Sequence, residues 1–136
     1  MLYLDNAATT WPKPERVRRA VQDWLENGSG SPGRGSHAFA QRAGEIISQT
    51  RRRLARFFNA PDENRLVFCA SATDALNLAL KGLLEQGDHV LISAMEHNSV
   101  LRPLRGLERE RGICLEIIPC DSAGRLDPDE VVRRMN

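Results

Sequence analysis

The chain has 136 residues, 41% of them hydrophobic and 27% charged, with a formal net charge of +1. That length allows one domain with its own core, and the near-neutral balance excludes an electrostatic case for nucleic acid or an anionic membrane surface as partner. There is no apolar run of about 18 residues that would span a bilayer, and the start Met1-Leu2-Tyr3-Leu4-Asp5 lacks the charged and apolar regions of a signal peptide, so a cytoplasmic location is expected.

The spacing predicts a first helix over 14–26, with Pro14 at an early helical position and Val17, Ala20, Val21, Trp24 and Leu25 on one face. Asn27-Gly28 ends it, and residues 28–36, with four glycines and Pro32, read as a loop. A longer helix is expected over 37–58, its core face formed by Ala43, Ile46, Ile47, Leu54, Phe57 and Phe58. Arg51, Arg52, Arg53 and Arg56 fall opposite that stripe as a solvated face.

From there strands and helices alternate. Residues 66–70 form a short apolar run expected to be a buried strand, followed by a helix over 72–84 with Ala72, Ala75, Leu76, Ala79, Leu80 and Leu83 on its apolar face. A strand over 89–93, a helix over 99–111, a strand over 113–119 and a last helix from Pro128 to Met135 complete the series. Pro103 is tolerable in its helix only because it falls near the first turn, and Asp127-Pro128 reads as a cap followed by proline at the first helical position. Such alternation predicts an α/β fold with a parallel sheet. The expected organisation is an N-terminal segment over 1–62, with an extended start, two helices and the glycine-rich loop, then an incomplete βαβαβα unit over 63–136. Three parallel strands by themselves would leave a sheet edge uncovered.

Cys69, Cys114 and Cys120 form no CxxC pair and no zinc spacing, so reduced thiols and no metal site are expected; Cys69 and Cys114, inside apolar runs, read as small core residues.

Three segments could carry chemistry. Ala70-Ser71-Ala72-Thr73-Asp74 joins a predicted strand to a helix. It reads either as a plain capped start, with Ser71 as cap and Asp74 three residues on, or as a phosphate cradle made of first-turn N–H groups and the Thr73 hydroxyl. Met95-Glu96-His97-Asn98-Ser99 follows the next strand, at the carboxyl end where ligands of open α/β sheets gather. His97 there is either a solvated loop residue or a group that stacks on, hydrogen-bonds to or exchanges a proton with a ligand. The stretch from Gly28 to His37 is neither a P-loop nor a dinucleotide fingerprint, and is a connector or a lid.

Four stretches together resemble a known family. Tyr3-Leu4-Asp5-Asn6-Ala7-Ala8-Thr9-Thr10, Pro32-Gly33-Arg34-Gly35-Ser36-His37, the run from Phe68 to Leu78, and Met95-Glu96-His97-Asn98-Ser99-Val100 are similar, in order and spacing, to segments of the cysteine desulfurases, class V aminotransferases. The resemblance spans this chain but only the opening part of a family member. It implies the large domain of the fold-type I pyridoxal-phosphate (PLP) transferase fold, preceded by N-terminal helices. It also implies that Ala72 and Thr73 hold the cofactor phosphate, that His97 stacks on the pyridine ring and relays protons, and that Asn6, Ala7 and Ala8 lie on the substrate side. The implied partners are cysteine, a second copy of the chain in a homodimer, and a sulfur-acceptor protein. The implied reaction takes sulfur from cysteine, leaving alanine and an enzyme-bound persulfide, with the cofactor as electron sink.

Ser71 and Asp74 depart mildly from the family's usual glycine and glutamate. The Schiff-base lysine, the aspartate facing the pyridine nitrogen and the nucleophilic cysteine come later in family members. Lys13 and Lys81, the two lysines here, match no family lysine motif. The expectation is therefore PLP binding that is non-covalent and weak at best, and no activity from these residues alone. Two other readings stand beside it: a non-catalytic module that pairs with a full-length relative, and another class V activity such as selenocysteine lysis.

Overall fold

The computed structural model describes residues 2–28 and 30–135. Two compact units divide between Val67 and Phe68.

The first unit is helical. Helix α1 (Glu15–Asn27) starts directly after Pro14, which needs no N–H to donate there. Helix α2 (Ala38–Phe57) is capped by His37, whose Nδ1 accepts the Ala40 N–H at 3.3 Å. Close approach explains one residue of the intervening loop: a Cβ on Gly30 would sit 2.6 Å from the Phe39 backbone. Ser29 lies outside the described residues. A single 3-10 turn (Glu63–Arg65), capped by Asp62, follows α2.

Burial along α2 is narrower than its apolar pattern predicts. Ala40, Ala43 and Ala55 are buried, whereas Ile46 is exposed and Phe57 and Phe58 are 80% and 65% exposed. The small side chains are the most buried, Ile47 and Leu54 are half-buried, and Ile46, Phe57 and Phe58 stay outside. Of the four clustered arginines, Arg52, Arg53 and Arg56 are exposed as expected and Arg51 is half-buried.

The second unit holds the α/β layer. Helix α3 (Ala72–Leu83) leads to strand β1 (His89–Ser93), then helix α4 (Asn98–Arg111), strand β2 (Cys114–Ile118) and helix α5 (Pro128–Arg134). β1 and β2 pair in parallel, His89 opposite Cys114 through Ser93 opposite Ile118. Parallel neighbours need a crossover, which α4 supplies. Ile92, Leu104, Leu107 and Ile113 form the buried cluster, with Leu80, Val90, Leu115 and Ile117 packed around it. Gly112 closes α4 in the left-handed conformation (φ 69°) that glycine adopts without a Cβ penalty. The Arg111 guanidinium donates 2.8 Å bonds to the Lys81 and Leu84 carbonyls, tying the end of α3 to α4.

Three expectations need correction. Residues 66–70 are not a strand: the sheet has two strands, β1 and β2, among the described residues, and Val67 and Phe68 are 66% and 48% exposed. A strand exists only with a ladder partner, and an apolar run cannot supply one for itself. Cys69 and Cys114 are exposed rather than core residues. The first lies in that non-strand segment; the second shares the sheet face of His89 and Glu116, opposite the buried cluster. Pro103 falls in the second turn of α4, where it cannot donate to the Ser99 carbonyl.

Helix α5 is tied to the sheet by charge. Asp127 caps it through the Asp129 N–H at 3.0 Å, with Pro128 next. Arg134 bonds Glu130 on its own helix (Nε to Oε1, 2.6 Å) and Glu116 on β2, while His89 Nε2 lies 3.2 Å from Glu116 Oε2. Hydrogen bonds from Arg133 and then Arg134 hold the Glu130 carboxyl below the ordinary carboxylate range, and the same pairing raises both guanidiniums. A carboxyl that titrates lower when folded contributes its stability above its unfolded value and loses it as pH falls through its folded one. Amide protection factors in α5 are expected to drop on acidification below the ordinary carboxylate range. Glu130→Gln should show the reduced protection already at neutral pH; unchanged protection would remove this carboxylate from the account.

Candidate functional site

The start of α3 is built as its sequence demands. Ser71, in extended backbone, accepts the Asp74 N–H at 3.1 Å, and its hydroxyl donates to Asp74 Oδ2 at 2.9 Å. Aspartate stands where a capping box has glutamate or glutamine, and its carboxylate accepts from the Ser71 hydroxyl and not from the Ser71 backbone N–H. The cap engages neither the Ala72 nor the Thr73 N–H. Capped start and anion cradle are therefore compatible, because the cap uses the third N–H of the turn and leaves the first two to other acceptors.

His97 caps α4 in the same manner. Its Nδ1 accepts the Ser99 N–H at 3.1 Å and lies 2.9 Å from Ser99 Oγ. The preceding loop is braced by Ser93, whose hydroxyl donates to Glu96 Oε1 at 2.9 Å and accepts the Met95 N–H at 3.3 Å.

Thr73 and His97 line one cleft of about 470 Å³ between α3 and α4. Thr73, Asn77 and Lys81 come from α3, Ser99 and Arg102 from α4, and His97 is the cap of α4. The size falls within the range of small-molecule sites. Two cations and no carboxylate line it among the described residues, which with first-turn N–H groups makes a donor set suited to an anion. Asn77 Nδ2 donates to the Thr73 carbonyl at 3.0 Å, bracing that turn from within the helix.

Ala72 is exposed at the first position of α3. Asn6, Ala7 and Ala8 belong to the first unit, in a turn where the Ala8 N–H donates to the Asp5 carbonyl at 3.2 Å and Asn6 Oδ1 accepts the Trp11 N–H at 3.1 Å. Sequence reasoning missed Asn77, Lys81, Ser99 and Arg102. The signal for two of them was present: Thr73, Asn77 and Lys81 repeat every four residues, one side of a helix, flanking the apolar stripe.

A parallel βαβ unit with hydrogen-bond donors at two helix starts defines an α/β domain with a candidate anion site outside the carboxyl ends of its strands. The chain belongs to the aminotransferase class-V family, whose model matches residues 2–136. It is similar to a probable cysteine desulfurase of Pseudomonas putida, with 37% identity over 134 residues covering 96% of this chain and 33% of that protein. The structure of apo cysteine desulfurase from Thermococcus onnurineus superposes with a TM-score of 0.84 at 29% identity, covering 98% of this chain and 34% of that one. A mutant of C-DES, solved with glycine covalently linked to its PLP cofactor, shares the fold with a TM-score of 0.65 at 22% identity, over 90% of this chain and 31% of its own. The chain thus spans about a third of the length of the relatives it matches.

Proposed function

We propose that these 136 residues are the phosphate-holding and ring-facing part of a PLP-dependent enzyme of the cysteine desulfurase kind. The observation that carries this reading is the convergence of Thr73 and His97 on one cation-lined cleft. The Ala72 and Thr73 N–H groups and the Thr73 hydroxyl would hold the phosphate, and His97 would lie against the pyridine ring. When bound, the cofactor supplies an electron sink for the bonds at the amino-acid Cα. The substrate proposed for the whole protein is cysteine, by likeness to relatives that are cysteine desulfurases. A persulfide-accepting partner, a homodimeric state and a cytoplasmic setting belong to the same proposal. Asn6, Ala7 and Ala8 are proposed on the substrate side, on the resemblance of their segment alone.

Neither lysine of the chain matches the family's lysine motif, so groups outside these residues are assigned the covalent step. Titrating the chain with PLP is expected to give a saturable absorbance change that dialysis reverses and borohydride does not fix. Absence of saturable binding would overturn the cleft assignment. A borohydride-fixed adduct on Lys81, which lines the same cleft, would overturn the division of labour.

A further inference from the structure

We infer that Ser99 is a positioning residue that holds His97 in one tautomer, so that the ring offers the cleft an N–H donor at Nε2 rather than a base. Nδ1 accepts the Ser99 backbone N–H at 3.1 Å, so it carries a lone pair and no proton. The Ser99 hydroxyl, 2.9 Å away, then donates to the same nitrogen. In a neutral imidazole the proton is therefore on Nε2. That nitrogen has no hydrogen-bond partner among the described residues, and His97 lines the cleft.

The arrangement has a chemical consequence. With Nε2 already protonated, a proton arriving at the ring must form its new N–H bond at Nδ1. That converts an acceptor into a donor facing the Ser99 N–H and ends the backbone contact that caps α4, while the Ser99 hydroxyl can turn to accept from Nδ1. Donation of a hydrogen bond from Nε2 to a ligand oxygen costs the cap nothing. Ser99 acts from the α4 side of the cleft, and the sequence marks it only as the second residue after the histidine. What the Nε2–H group meets rests on the cofactor reading above; the tautomer does not.

The test is a long-range proton–nitrogen correlation spectrum of the histidine rings in the full 136-residue chain without added cofactor, with His97 assigned through His97→Gln. A protonated-type Nε2 and a lone-pair-type Nδ1 are expected in the unsubstituted chain, a measurement that needs no variant at Ser99. Ser99→Ala keeps the backbone donor and loses the hydroxyl. Its Nδ1 resonance should move toward that of a less hydrogen-bonded lone pair, with the second tautomer becoming detectable, and Ser99→Thr should restore the original pattern. A proton on Nδ1 in the unsubstituted chain, or an alanine variant indistinguishable from it, overturns the inference. A parallel PLP titration separates the two readings: failure to bind with the tautomer pattern intact counts against the cofactor assignment alone.

Discussion

Replacing Leu104 by alanine is expected to destabilise the α/β unit by about 2–5 kcal/mol, the largest stability effect of any single side-chain truncation in it. Leu104 is 0% exposed and belongs to the cluster of Ile92, Leu107 and Ile113 that joins α4 to both strands. The cost combines the lost transfer of buried methyl groups with an unfilled cavity, since neighbours held by the β1–β2 ladder collapse only partly. The cluster is small, so few alternative contacts compensate. Urea unfolding followed by far-UV circular dichroism and by amide exchange in β1 and β2 measures it, with midpoint shifted and slope unchanged. Tryptophan fluorescence is the wrong probe, because Trp11 and Trp24 both lie in the first unit. A loss below about 1 kcal/mol would show that the cluster is not the organising core.

The second large effect concerns the anion cradle. Thr73→Val keeps the β-branch and the backbone N–H while deleting the hydroxyl that lines the cleft. A hydrogen bond to a charged acceptor contributes roughly 1.5–3 kcal/mol, so the PLP dissociation constant should rise about 10- to 100-fold. Binding of pyridoxal, which has the ring and no phosphate, should be unaffected. Equal losses for both ligands would move Thr73 away from the phosphate, and no loss for either would remove it from the site. The capping bonds between Ser71 and Asp74 use neither the Thr73 side chain nor its N–H, so the helix start should survive the change.

The helices were legible because their signals act within one or two turns. Pro14 before α1, Ser71 with Asp74 at α3, and Asp127 with Pro128 at α5 all stand in the structure where their chemistry predicts. The 89–93 strand was legible too, bounded by the Gly87 turn, which takes φ 86°. Residues 66–70 looked no different by composition, yet they join no strand of the β1–β2 sheet, and residues 67–70 are exposed. The site was half legible. Thr73 and His97 could be named from the turn and loop that hold them, whereas Ser99 and Arg102 carry no mark except their position after the histidine.

What this sequence determined by itself was local and familial: caps, helical faces, the alternation of elements, and an order of motifs that resembles the class V aminotransferases. Tertiary structure decided which apolar residues find cover, which extended run finds a hydrogen-bonding neighbour, and that two distant helix starts share one cleft. The division follows from range. A cap or a periodic face is satisfied by residues three or four positions away, but burial, strand pairing and a ligand site require groups that only the folded chain brings within contact.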